Sequence, residues 1–181
     1  MKKEEGKLKR EERKYLPEIV LGGIDGSITT FAVVAGVIGA SLSAAVVLIL
    51  GFANLFADGF SMAVSNYFST RSKYHPSKQK SKEHIWAAFK VALATFCSFF
   101  IIGFIPLLSF VLAMITGNLF LIRHEVLISL ILTGISLFIV GFFRGDVLGK
   151  KRLRSSIEVL VIGGIAAGLA FAVGWLIETV V

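Results

Sequence analysis

Apolar runs of about twenty residues or more alternate along this chain with short polar stretches, most of them basic. A helix needs about 20 apolar residues to cross a bilayer. The pattern therefore predicts an all-α, polytopic membrane protein with five transmembrane helices, at about 17–40, 43–69, 85–116, 126–143 and 159–177. The turn between the first two spans is tiny and uncharged, so they form a helical hairpin. Pro17 is placed in the first turn of its helix, where a missing N–H does little harm. The third span is longer than a bilayer requires and is expected to tilt or to begin along the interface. Pro106 should kink it.

Residues 1–16 form a basic tail, expected as a solvated cytoplasmic arm with i,i+4 pairs available for a short surface helix. Residues 17–181 form one transmembrane domain. No heptad, low-complexity tract or internal duplication is evident. The first 14 residues are mostly charged and the apolar stretch after them leads into no small-residue cleavage site, so no cleavable signal peptide is expected.

Composition supports this picture. Of 181 residues, 55% are hydrophobic and 17% are charged, against about a quarter charged in soluble domains. The net charge of +7 raises the question of nucleic acid. The charges sit beside hydrophobic segments, however, and read as topology signals and lipid-headgroup contacts. The single cysteine, Cys97, excludes an intrachain disulfide and any multi-cysteine metal site.

The basic residues segregate. The tail, the 71–90 region (Arg71, Lys73, Lys78, Lys80, Lys82, Lys90) and the 144–154 region (Arg144, Lys150, Lys151, Arg152, Arg154) fall on one side of a five-span chain. Only Arg123 falls on the other. By the positive-inside rule the first side is cytoplasmic, which puts the N-terminus inside and the C-terminus outside. The membrane expected from the basic tail and loops is a prokaryotic plasma membrane, with an organelle left open.

Two carboxylates interrupt the apolar runs. Asp25 lies in Gly22-Gly23-Ile24-Asp25-Gly26-Ser27 and Asp58 in Gly51-Phe52-Ala53-Asn54-Leu55-Phe56-Ala57-Asp58-Gly59. An Asp at the centre of a membrane helix costs roughly 2.5 to 3.5 kcal/mol, so such groups face protein, water or a cation. On the second helix Asn54, Asp58 and Met62 recur every four residues, and Asn66 extends the stripe. On the first, Glu18, Asp25 and Thr29 share a face. At about 1.5 Å per residue Asp58 sits roughly 20 Å from Arg71, and Asp25 roughly 10 Å beyond Glu18. In an antiparallel hairpin both aspartates reach middle depth.

Carboxylate and amide oxygens suit hard or borderline divalent ions, and a thioether leans away from Mg²⁺ and Ca²⁺. The candidate metal ligands are therefore Asp25, Asp58, Asn54, Met62 and, at the cytoplasmic boundary, Glu18. Carboxylates also carry protons, as an antiporter requires. Met62 by itself reads as core filler, Asn54 equally as an interhelical hydrogen-bond donor, and Glu18 as an ordinary boundary charge. Glycines 22, 23, 26 and 59 allow either close helix contact or a local break. Gly164 and Gly168 suggest small-xxx-small packing. His75, Glu83 and His84, and likewise His124 and Glu125, read as solvated loop groups. Arg144, Asp146 and Lys150 read as an interfacial charge cluster.

From Asp25-Gly26 and the small, apolar run Thr29 to Gly39, through Gly51-x-Ala53-x-x-x-Ala57-x-x-x-Ser61-Met62 to Tyr67, the chain resembles the vacuolar iron transporter family. The resemblance implies a homodimer that moves Fe²⁺, and often Mn²⁺, out of the cytoplasm in exchange for protons. It also implies that Asp25 and Met62 matter for transport. Many members have Glu where this chain has Asn54, and a small residue where it has Asp58. Better-studied members carry, at the place of the 71–83 loop, a helical cytoplasmic domain rich in Glu and Met; this is a short member without it.

The expected function is a divalent metal ion transporter with Fe²⁺ or Mn²⁺ as cargo, protons as counter-ion and no bound cofactor. Its expected partners are the lipid bilayer and a second copy of the chain, not nucleic acid, since five helices are an awkward number for a self-contained pathway. The alternatives are a transporter of a different cation and a non-transporting scaffold. An intramembrane aspartyl protease is disfavoured, because the nearest string to Gly-x-Gly-Asp, Phe143-Arg144-Gly145-Asp146, lacks the first glycine.

Overall fold

The computed structural model describes residues 2–73 and 81–181, with side chains from Tyr15 onward. Among these residues the chain is all helix: α1 (Lys2–Gly39), α2 (Ala44–Ser72), α3 (Lys82–Gly103), a 3-10 turn (Ile105–Leu107), α4 (Leu108–Thr116), α5 (Leu119–Leu148) and α6 (Arg152–Val180). Five segments are long and apolar enough to span a membrane, with α3, the turn and α4 together forming the third. The predicted fold class is what the structure has.

Pro106 interrupts the third span as its chemistry requires. It has no N–H to continue the helical ladder, so α3 ends at Gly103 and α4 starts at Leu108. α5 ties down this break, where Ser129 Oγ donates to the Pro106 carbonyl over 2.6 Å. Ser129→Ala is expected to lower stability by about 0.5–1.5 kcal/mol, read as a lower midpoint in a detergent thermal melt.

One local expectation, the place of Pro17, is corrected. The tail backbone is helical from Lys2 and runs without a break into the first span, so α1 is one helix of 38 residues. Pro17 consequently lies inside this helix and not in its first turn. The side chain of Pro17 is exposed.

α1 is the central element and packs against α2, α3, α5 and α6. It ends in a left-handed Ser41 (φ 56°), with Leu42 N–H bonded to Val37 O and Ser41 N–H to Ile38 O. This reciprocal cap closes the hairpin into α2. Val34, Val37, Val47, Leu55, Phe99, Leu107 and Phe110 form the buried core.

Apolar side chains drive little helix association in lipid, so close contact falls to small residues and buried hydroxyls. A Cβ on Gly22 would sit 2.6 Å from Thr95 O, and one on Gly26 would run into Phe99 O. The glycines of α1 therefore serve close contact; no break opens beside Asp25. On α6, Gly163, Ala167 and Gly174 face inward, while a Cβ on Gly164 or Gly168 would meet nothing within 4 Å. Within the chain the small-residue seam of α6 is Gly163, Ala167 and Gly174, and Gly164 and Gly168 lie on its open face. Hydroxyl bonds pin the bundle: Ser27 to Ser136 (3.0 Å) and Ser156 to the Phe138 carbonyl (2.9 Å).

Candidate functional site

α1 and α2 run antiparallel, and Asp58 is the middle residue of α2. About 21 Å of helix lies on either side of it at 1.5 Å per residue. Asp25, half-buried on α1, lies near enough for the charge of Asp58 to act on it. Asn54 fastens the two helices between them. Its Nδ2 donates to Thr29 Oγ1 (3.3 Å) and to Thr30 Oγ1 (3.2 Å). Thr29 in turn donates to the Asp25 backbone carbonyl over 2.8 Å. Because the Asn54 amide nitrogen is engaged in this way, its oxygen is the group left to meet a cation.

The structure therefore brings Asp25, Asp58, Asn54 and Thr29 together where α1 meets α2 at middle depth. Asp58 is exposed there, on the outer surface of a single chain, flanked by exposed Phe56 and Phe60. Met62 is half-buried and packs on the apolar core. Glu18 stands about 10 Å along α1 toward its N-terminal end, with a buried Oε2 that has no hydrogen-bond partner among the described residues. Asn66 turns to α3 and donates to Thr95 Oγ1 over 2.8 Å. No group of three or more His, Cys, Asp or Glu side chains converges among the described residues.

Elsewhere the charged groups find local partners. Arg144 binds Glu158 (3.1 Å) and Ser155, while Asp146 pairs with Arg152 and not with Lys150. Glu158 is the member of this cluster that sequence reasoning passed over. His124 Nδ1 lies 2.8 Å from the Phe120 carbonyl in the same helix. Glu83 is exposed and His84 half-buried at the start of α3. His75 lies outside the described residues.

Sequence reasoning also missed Thr30 and the buried hydroxyls of α5, Ser129, Thr133 and Ser136. The latter recur at i, i+4 and i+7 in an apolar run, a spacing that marks one helix face.

Sequence comparison relates the whole chain to known proteins. A family model described as "VIT family" matches residues 16–88 and 73–175, nearly the whole transmembrane region. The chain belongs to the VIT family. Relatives at modest identity run the length of both partners. A protein named vacuolar iron transporter from Plasmodium berghei (strain Anka) is 26% identical over 93% of this chain and 84% of its own length. Vacuolar iron transporter 1 of Arabidopsis thaliana is 25% identical over 89% and 85%, and vacuolar iron transporter homolog 1 of the same plant 29% identical over 92% and 84%. This VIT family chain is a multi-pass membrane protein and not an enzyme, its relatives being named transporters.

The alignment with the Plasmodium protein spans 229 positions, more than this chain's 181 residues, whereas that with homolog 1 spans 177. The two family-model matches overlap over 73–88, which runs from the end of α2 into α3. The longer alignment fits a short member of the VIT family.

Proposed function

We propose that this chain carries a divalent metal ion, Fe²⁺ or Mn²⁺, out of the cytoplasm in exchange for protons, as a homodimer whose pathway follows the line where α1 meets α2. One observation carries the reading: the half-buried Asp25 and the exposed Asp58 lie close together at mid-depth, with Asp58 on the outer face of a single protomer. Left against lipid, Asp58 would cost roughly 2.5 to 3.5 kcal/mol. A second copy laid across the same face by two-fold symmetry removes that exposure. It also doubles the acids at the site to four, a set that suits an oxygen-loving divalent ion.

In this reading Asp25 and Asp58 ligate the ion and exchange it for protons, and the Asn54 oxygen is a neutral ligand. Met62, whose unbranched side chain re-aims easily, supplies the softer contact by leaving its place on the core. Glu18, with its unsatisfied carboxylate oxygen, receives the ion at the cytoplasmic mouth. Orientation follows from charge: the start of α1, the end of α2 and the starts of α3 and α6 carry the basic residues and face the cytoplasm. The membrane proposed is a prokaryotic plasma membrane. The iron in the relatives' names supports the choice of cargo.

The test is flux of Fe²⁺, Mn²⁺, Co²⁺, Zn²⁺ and Ca²⁺ in proteoliposomes, with internal pH recorded alongside. Fe²⁺ and Mn²⁺ are expected to move with opposed proton flow, and Ca²⁺ to stay behind. Preference for Ca²⁺ would refute the cargo, and metal flux with no pH change would refute the exchange.

A further inference from the structure

The side of α6 that faces away from α1 and α5 carries an open groove of about 710 Å³ near the start of the helix. Lys151 and Arg154 stand at its head, Leu153, Ile157, Val161 and Ile162 line it, and Glu158, paired with Arg154, lines it too. The buried positions of this stretch, Ser155, Ser156, Val159 and Gly163, lie on the opposite side of the helix. Around the head five cations (Arg144, Lys150, Lys151, Arg152, Arg154) meet two carboxylates, Asp146 and Glu158. Both carboxylates are already engaged: Glu158 by Arg144 and Arg154, and Asp146 by Arg152. The head is therefore positive after all internal pairing.

We infer that this groove binds an anionic phospholipid, with the phosphate between Lys151 and Arg154 and an acyl chain along Leu153, Ile157, Val161 and Ile162. The dimensions agree. From Lys151 to Ile162 the helix rises about 16 Å, close to one leaflet's share of a hydrocarbon core about 30 Å thick. The order of chemistry, cationic head and then an apolar track running toward the bilayer centre, is that of the lipid itself. Basic sites at the membrane surface select anionic headgroups. A second copy of the chain is a poor occupant, because two-fold pairing on this face would set the same cations against each other. The groove between α2 and α3, from Phe60 to Phe96, is lined by no cation, and nothing there selects an occupant.

Native mass spectrometry of the full chain with equal amounts of phosphatidylglycerol and phosphatidylcholine tests this. Phosphatidylglycerol is expected to be retained preferentially. Lys151→Ala with Arg154→Ala should lower its retention by at least about tenfold, given roughly fivefold per basic residue at a membrane surface. Val161→Trp, which fills the track and leaves the charge alone, should lower it too. Lys82→Ala, a cation at the same end but outside the groove, should not, and inorganic phosphate alone should leave the thermal midpoint where it was. Equal retention of both lipids, undiminished retention in the double variant or in Val161→Trp, or an equal loss in Lys82→Ala would overturn the site.

Discussion

Asp25→Asn is expected to abolish Fe²⁺ and Mn²⁺ flux in proteoliposomes while leaving the chain folded. Losing a partner that only supports a metal ligand typically costs 10–100-fold, so loss of a ligand itself should exceed about 100-fold. The fold should tolerate the change for identifiable reasons. The bond that Thr29 makes at this position goes to the backbone carbonyl of residue 25 and not to the side chain. Asn has nearly the shape of Asp, and removing a charge from a membrane helix relieves part of its insertion cost. The variant should therefore melt no lower than the parent. Asp58→Asn should lose flux on the same scale, since the two acids lie close together. Unchanged flux in Asp25→Asn would remove the site. Loss in Asp25→Asn with full flux in Asp58→Asn would leave Asp58 outside the ligand set.

The spans were readable because lipid imposes a length and forbids stray polar groups, so hydropathy alone locates them. The same rule exposed Asp25, Asp58 and Asn54, three polar side chains where the solvent tolerates few. Rotation about each helix was far less readable. Four residues advance an α-helix by a little more than one turn, so an i,i+4 stripe drifts about 40° per step. Asn54 consequently reaches the threonines of α1, whereas Asn66, three steps on, reaches Thr95 of α3. Beyond its first two turns α6 is apolar on all sides to Ile177, and a stretch without a polar face gives periodicity nothing to orient. That is why periodicity could not tell Gly163 and Ala167, its seam within the chain, from Gly164 and Gly168 on its open face. The partner of Arg144 was hidden for another reason: Glu158 lies on the next helix, and pairing across a loop is decided by helix placement.

Gly26→Leu is expected to prevent folding, and Gly26→Ala to lower stability by about 1–3 kcal/mol, the usual cost of overpacking. A Cβ here would meet Phe99 through its carbonyl oxygen and also its Cα at 2.9 Å and carbonyl carbon at 3.0 Å, all backbone atoms. Backbone within a helix cannot rotate aside, so α1 and α3 must separate. The contact is reciprocal, since a Cβ on Gly103 would lie 2.8 Å from Gly26 O. Gly164→Ala is the matched control. It adds the same methyl group to a helix in open space, and should be neutral or slightly stabilising through helix propensity, by up to about 1 kcal/mol. Thermal melts in one detergent compare the three variants directly. Gly26 neighbours Asp25, and one residue of helix turns the chain by about 100°. The residue that seats α1 on α3 thereby leaves the carboxylate turned off that contact. If Gly26→Ala melted with the parent, the backbones could not be touching there, and the position of Asp25 near Asp58 would lose its mechanical support.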